Sequence, residues 1–123
     1  MDKITVYGIP NCDTIKKTLA WFKQHNINAG FWDYKRSGIT NEKLTDWCKQ
    51  AGWEVLLNKK STTWRNLPLP DQEKIINQSA AIQLMMSNTS IIKRPVIEFE
   101  NTLIVGFNEP EINKQIKQIK QIK

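Results

Sequence analysis

The chain predicts an α/β fold: a mixed four-stranded sheet carrying an inserted helical subdomain. Two observations predict it. A strand–helix–strand unit opens the chain, and a hairpin followed by a helix closes it, with only helical patterning between. The opening unit implies parallel pairing, because a helical crossover returns the chain in the same direction. The closing hairpin adds two antiparallel strands.

Ile4 to Tyr7 is short and β-rich, so it reads as a strand. Asp13 to about His25 reads as a helix, with Ile15, Leu19 and Phe22 at i, i+4 and i+7. Ala29 to Asp33 is the second strand, and Tyr34 to Gly38 a turn. Thr40 can cap a helix from Asn41 to Ala51, and Gly52 stops it. A turn near Trp53 to Leu57 leads into a loop from Asn58 to Pro70. Helical stretches at about Asp71 to Gln78 and Ala80 to Ser87 follow. Pro95 starts a strand over Val96 to Glu100, which turns at Glu100-Asn101 into Leu103 to Val105. Gly106 ends the hairpin, and a last helix runs from Glu109. On it Ile112, Ile116 and Ile119 form a stripe, and Ile122 drifts off because period three precesses against 3.6 residues per turn. This order is a thioredoxin-like layout. The 123 residues are expected to form one domain, with a core of about 1–40 and 89–123 and a helical insert of about 41–88.

Composition narrows the function. Hydrophobic residues make up 40% and charged residues 24%, as in ordinary globular proteins. Two cysteines make no disulfide framework, which fits a reducing, cytoplasmic compartment. The start Met1-Asp2-Lys3-Ile4 has no apolar h-region, and no apolar run reaches 18 residues, so neither a signal peptide nor a membrane span is expected. The net charge of +6 raises nucleic acid as a partner, but the tail lysines at 114, 117, 120 and 123 trace a solvated helix face without interleaved aromatics. No direct nucleic-acid binding is expected, and a monomer is. One histidine and two separated cysteines give no metal-ligand spacing, and there is no phosphate loop or dinucleotide fingerprint.

Cys12 carries the chemistry. A strand runs into the Gly8-Ile9-Pro10-Asn11 turn, and Cys12 opens the following helix. The first N–H groups of a helix have no internal partner, and with the dipole they favour an anion. Such settings lower cysteine pKa values from about 8.5 into the ~3.5–7.5 range. Asn11, Asp13, Thr14 and Lys16 surround the expected thiolate, with Lys17 adding charge. Asp13 helps start the helix but opposes a neighbouring thiolate. Thr14 either bonds the sulfur or helps cap the helix. Cys48, at helical core spacing with Leu44, Trp47 and Ala51, reads as a buried thiol. His25, at a helix end, reads as a cap. Trp64 and Arg65 either line the cleft or, the favoured reading, pack the insert onto the core.

Asn11-Cys12-Asp13-Thr14-Ile15-Lys16-Lys17, Gly52-Trp53-Glu54-Val55-Leu56-Leu57-Asn58, Ser61-Thr62-Thr63-Trp64-Arg65 and Ile92-Lys93-Arg94-Pro95 together resemble the arsenate reductase (ArsC)/Spx/YffB family, most of all its YffB-type branch. The resemblance runs from about Thr5 to Phe107. It implies a thioredoxin-like domain with a helical insert, a nucleophilic or redox role for Cys12 and anion binding by Arg94. It also implies that Pro95 is the cis-proline of such folds. Arg65 or Lys93 stand as further anion donors.

The departures are as informative. Where the arsenate reductases resembled here carry arginines, this chain has Asn58 and Val105-Gly106-Phe107, and Gly8 replaces a histidine. An oxyanion needs several charge-assisted donors, so arsenate reduction is disfavoured. Spx regulators often carry Cys-x-x-Cys; here the second position is Ile15. The expected function is therefore a thiol-dependent reductase with Cys12 as its single nucleophile. No cofactor is expected to be bound. Glutathione is the expected resolving thiol, gripped by Arg94, Pro95 and Arg65, with glutaredoxin as a further partner. The alternative is an Spx-like regulator that binds RNA polymerase.

Overall fold

The computed structural model describes residues 4–100 and 102–122. Its contacts divide the chain into two compact units, 1–33 with 94–123, and 34–93. The sequence reading drew these lines at 40/41 and 88/89.

The first unit holds β1 (Thr5–Gly8), α1 (Asp13–Gln24), β2 (Gly30–Asp33), β3 (Val96–Glu98), β4 (Leu103–Val105) and α8 (Glu109–Ile122). The strand order is β2-β1-β3-β4, with β1 parallel to β2 and antiparallel to β3, and β3 antiparallel to β4. This is the mixed four-stranded sheet that the element order predicts. Strand side chains alternate between faces, and Val6, Ile97 and Ile104 point into one core with Ile15, Trp21 and Phe22 of α1. Ile112 and Ile116 of α8 complete it. Each such side chain contributes roughly 1.5–3 kcal/mol by leaving water.

Element bounds differ from the sequence reading by one or two residues, β1 running Thr5–Gly8 rather than Ile4–Tyr7 and β2 starting at Gly30 rather than Ala29. α1 ends at Gln24, and His25 is its cap, as expected for that residue. The His25 ring stacks on Trp21 at 3.9 Å, and its Nδ1 lies 2.8 Å from the Trp21 carbonyl. A carbonyl only accepts, so Nδ1 carries the hydrogen. β3 stops at Glu98 rather than Glu100, because the Phe99 N–H already donates to the Thr102 carbonyl at 2.8 Å to close the hairpin. Asn101, read as part of that turn, lies outside the described residues.

The second unit is helical. α3 (Asn41–Ala51) packs against α4 (Trp53–Leu56) and α7 (Gln78–Ser87), burying Leu44, Trp47, Leu56 and Met85. Thr40 caps α3 by accepting the Lys43 N–H at 3.1 Å, and Gly52 ends it at φ 94°. Both match the sequence reading. Three of its loops and turns do not. Tyr34 to Gly38 is not a plain turn but the helical turn α2 (Tyr34–Ser37), closed by Gly38 N–H to the Tyr34 carbonyl at 2.8 Å. The turn read near Trp53 to Leu57 is α4, with Leu57 as its C-cap. The loop from Asn58 to Pro70 contains α5 (Thr62–Arg65), capped by Ser61 accepting the Trp64 N–H at 3.1 Å, and the start of α6 (Leu69–Glu73). The stretch read as Asp71 to Gln78 is thus Leu69–Glu73, since a proline is tolerated in a helix's first turn. α7 begins two residues before Ala80, capped by Asn77. A 3-10 turn at Thr89–Ile91 and a bridge between Leu57 and Ile92 finish the unit.

Gly8 couples the sheet to α1. A Cβ there would lie 2.7 Å from Ile15 Cγ1 and still nearer its Cδ1. Gly8→Ala is expected to cost about 1–3 kcal/mol by overpacking. In an Ile15→Ala background the same change should cost less than half as much, because the clashing atoms are gone. Urea denaturation of the four proteins checks this; equal costs in both backgrounds would refute the contact.

Candidate functional site

The register of the sheet assembles the site. Tyr7 pairs with Val96, and Val96 with Val105. One step further along, Gly8, Pro95 and Gly106 lie at the same end of the sheet, where the Gly106 N–H donates to the Pro95 carbonyl at 2.7 Å. Immediately beyond lie the turn that carries Cys12, then Arg94 and Phe107. Three separate stretches of sequence therefore meet at one sheet end.

Cys12 is the N-cap of α1, in extended backbone at φ −118° and ψ 124°. Its carbonyl accepts the Lys16 N–H at 3.0 Å, which closes the first helical turn. Its thiol takes no cap hydrogen bond and is half-buried against the core under the sheet. A side chain that does not cap leaves first-turn N–H groups and the positive end of the helix to whatever anion sits there.

The other expected site residues fall as follows. Asn11, Asp13 and Lys16 are exposed around the helix start. Thr14 is half-buried, and its carbonyl accepts the Thr18 hydroxyl at 2.7 Å. Lys17 holds its ammonium 5.2 Å from the centre of the Phe107 ring. This cation–π contact is one the spacing of charges does not reveal. Arg94 is half-buried, and the Arg94–Pro95 peptide bond is cis, as the resemblance implies. Arg65 is exposed at the end of α5, in the 34–93 unit, whereas Cys12 and Arg94 belong to the other unit. Trp64 is buried, as a packing residue should be.

Cys48 is buried on α3, as its spacing predicts, and burial pushes its thiol above the usual value. A second polar feature escaped the sequence reading. On the sheet face opposite the core, the Tyr7 hydroxyl donates to Glu98 Oε1 at 2.9 Å. Burial, and then this bond and the nearby carboxylate charge, push the Tyr7 phenol far above its ordinary value. Strand alternation puts both residues on that face, but the diagonal pairing needs the register of β1 against β3. Among the described residues no group of three or more His, Cys, Asp or Glu is placed to hold a metal. Among them, too, no helix is long and apolar enough to cross a membrane.

A mixed sheet with a cysteine at the first helix start, a cis-proline at the same sheet end and a helical insert defines a thioredoxin-like fold. The chain belongs to the ArsC family, whose model matches residues 7–115. A protein of Haemophilus influenzae described only as uncharacterised is 44% identical over 108 residues, covering 88% of this chain and 94% of that protein. A solved structure of a YffB protein is 38% identical, with a TM-score of 0.86 over 91% of this chain and 97% of that one. The global transcriptional regulator Spx of Listeria innocua is 29% identical over 118 residues, covering 90% of this chain and 85% of the regulator.

Proposed function

We propose that the chain is a cytoplasmic thiol-dependent reductase in which Cys12 is the nucleophile and glutathione the resolving thiol. The observation that carries this reading is the contrast between its two cysteines. One sits half-exposed at a helix N-cap, and the other is buried in a different unit. For a mixed disulfide substrate the steps are two. The Cys12 thiolate attacks the glutathione sulfur, the substrate S–S bond breaks, and the substrate thiolate leaves and takes a proton from water. A second glutathione thiolate then attacks the glutathione now joined to Cys12, releasing oxidised glutathione and restoring the Cys12 thiolate. The substrate gains two electrons, and two glutathione units leave joined by one disulfide. A glutaredoxin is the protein-borne alternative for the second step.

In this reading Arg94 pairs with a glutathione carboxylate through its planar fork, which lysine cannot copy. Arg94→Lys is expected to slow glutathione addition to Cys12 about tenfold, the change that ~1.4 kcal/mol produces, with an unchanged unfolding midpoint. Intact-mass time courses check it. A variant as fast as the wild type removes Arg94 from the site.

The Spx likeness over 90% of the chain supports a second reading, an RNA polymerase-binding regulator. Ile15, at 1% exposure, occupies the place of a second cysteine, so a switch through that pair is closed to this chain. Retention of RNA polymerase by the Cys12→Ser protein, with no thiol turnover by the wild type, would favour the regulator.

A further inference from the structure

The helical unit holds a basic cavity lined by neither Cys12 nor Arg94. Its volume is about 530 Å³, and Lys59, Lys60 and Lys93 line it against a single carboxylate, Glu54. Val55, Leu57 and Asn58 supply the rest of the wall.

Backbone bonds hold these lysines around one space. The Lys93 N–H donates to the Leu56 carbonyl at 2.8 Å, and the Asn58 N–H to the Ile91 carbonyl at 2.8 Å. The Leu57–Ile92 bridge lies between them. So Lys93, 33 residues beyond Lys60, is tied beside it. Asn58 Oδ1 accepts the Lys60 N–H at 3.1 Å and sets the turn. The Lys59 ammonium stands 5.5 Å over the ring of the buried Trp64, which limits its motion. Among the described residues Lys60 and Lys93 make no ion pair.

Three ammonium groups against one carboxylate repel one another in the free protein, and a bound anion relieves that repulsion. The volume falls within the ~300–1,000 Å³ of small-molecule sites. The wall is partly apolar, through Val55, Leu57 and the lysine stems. We infer that this cavity binds a small organic anion carrying two or more negative charges, as phosphate or carboxylate groups.

Thermal unfolding at matched ionic strength tests it, with pyrophosphate and citrate as probes and sodium chloride as the control. Saturating probe is expected to raise the midpoint by ~5 °C over chloride. A response to pyrophosphate alone assigns phosphate, a response to citrate alone assigns carboxylate, and both assign charge as the criterion. The Lys60→Gln/Lys93→Gln protein should unfold within about 3 °C of wild type without probe and lose the probe's shift. Arg94→Lys should keep it, which separates this cavity from the anion site of the thiol reading. In backbone amide spectra, probe-induced shifts should centre on Leu57 to Lys60 and Lys93. No shift over chloride, or an equal shift in the double variant, overturns the inference.

Discussion

Oxidised glutathione is expected to add one glutathione to the native protein, on Cys12, and none on Cys48. The two thiols differ first in access. Cys12 is half-exposed at the start of α1, where N–H groups and Lys16 favour an anion. Cys48 is buried on α3, and its raised pKa keeps it in the unreactive thiol form. It can react only from opened molecules. An opening that costs about 3–4 kcal/mol populates roughly one molecule in 10²–10³, so Cys12 should be modified faster by at least that factor. Cys12→Ser should abolish the adduct, Cys48→Ser should leave it, and a second thiol should reverse it. Intact-mass spectrometry followed by peptide mapping reads all three. An adduct chiefly on Cys48 would overturn the site.

The parts of this site that were legible in the sequence are those set by local rules. The helix beginning at Asp13 shows in the i, i+4, i+7 spacing, and the cysteine at its start follows from the Gly/Pro turn before it. Thr40 and Gly52 announce α3 because caps and left-handed stops are chosen by single residues. Cys48 was readable as buried for the same reason, through its spacing with Leu44 and Trp47. Short helices were not legible. α2, α4 and α5 span four residues each, about one turn, too few to show a period. The stretch from Asn58 to Pro70 reads as loop, and the Ser61 cap on the Trp64 N–H appears only in the structure. Nonlocal contacts stayed hidden altogether. Lys17 reads only as added charge near Cys12 until the fold brings Phe107 beneath it. Lys93 meets Lys60 only through the Leu57–Ile92 bridge.

The same nonlocal placement governs the second large effect, which concerns arsenate. With glutathione and glutaredoxin supplied, the wild-type chain is expected to reduce arsenate no faster than its Cys12→Ser variant. The family resemblance puts arginines at two places where this chain offers none. At one, the Asn58 amide oxygen is already engaged by the Lys60 N–H. At the other, Gly106 has no side chain, and its N–H is taken by the Pro95 carbonyl. The next residue, Phe107, presents an aromatic ring to Lys17 rather than a donor to an oxyanion. Removing one strong oxyanion donor lowers turnover by about 10²–10³, so two absent donors leave little rate to measure. Restoring them is unequal work. Asn58→Arg gives up the Lys60 N–H bond to the side chain but keeps the turn's backbone bonds, Asn58 N–H to the Ile91 carbonyl and Ser61 N–H to the Asn58 carbonyl. Gly106→Arg must adopt φ 94°, a region that favours glycine. Asn58→Arg should therefore fold and Gly106→Arg should be destabilised, and neither alone should bring brisk turnover. Arsenite release measured for the wild type decides the matter: robust turnover there would show that Arg94 and the helix start suffice without the missing arginines.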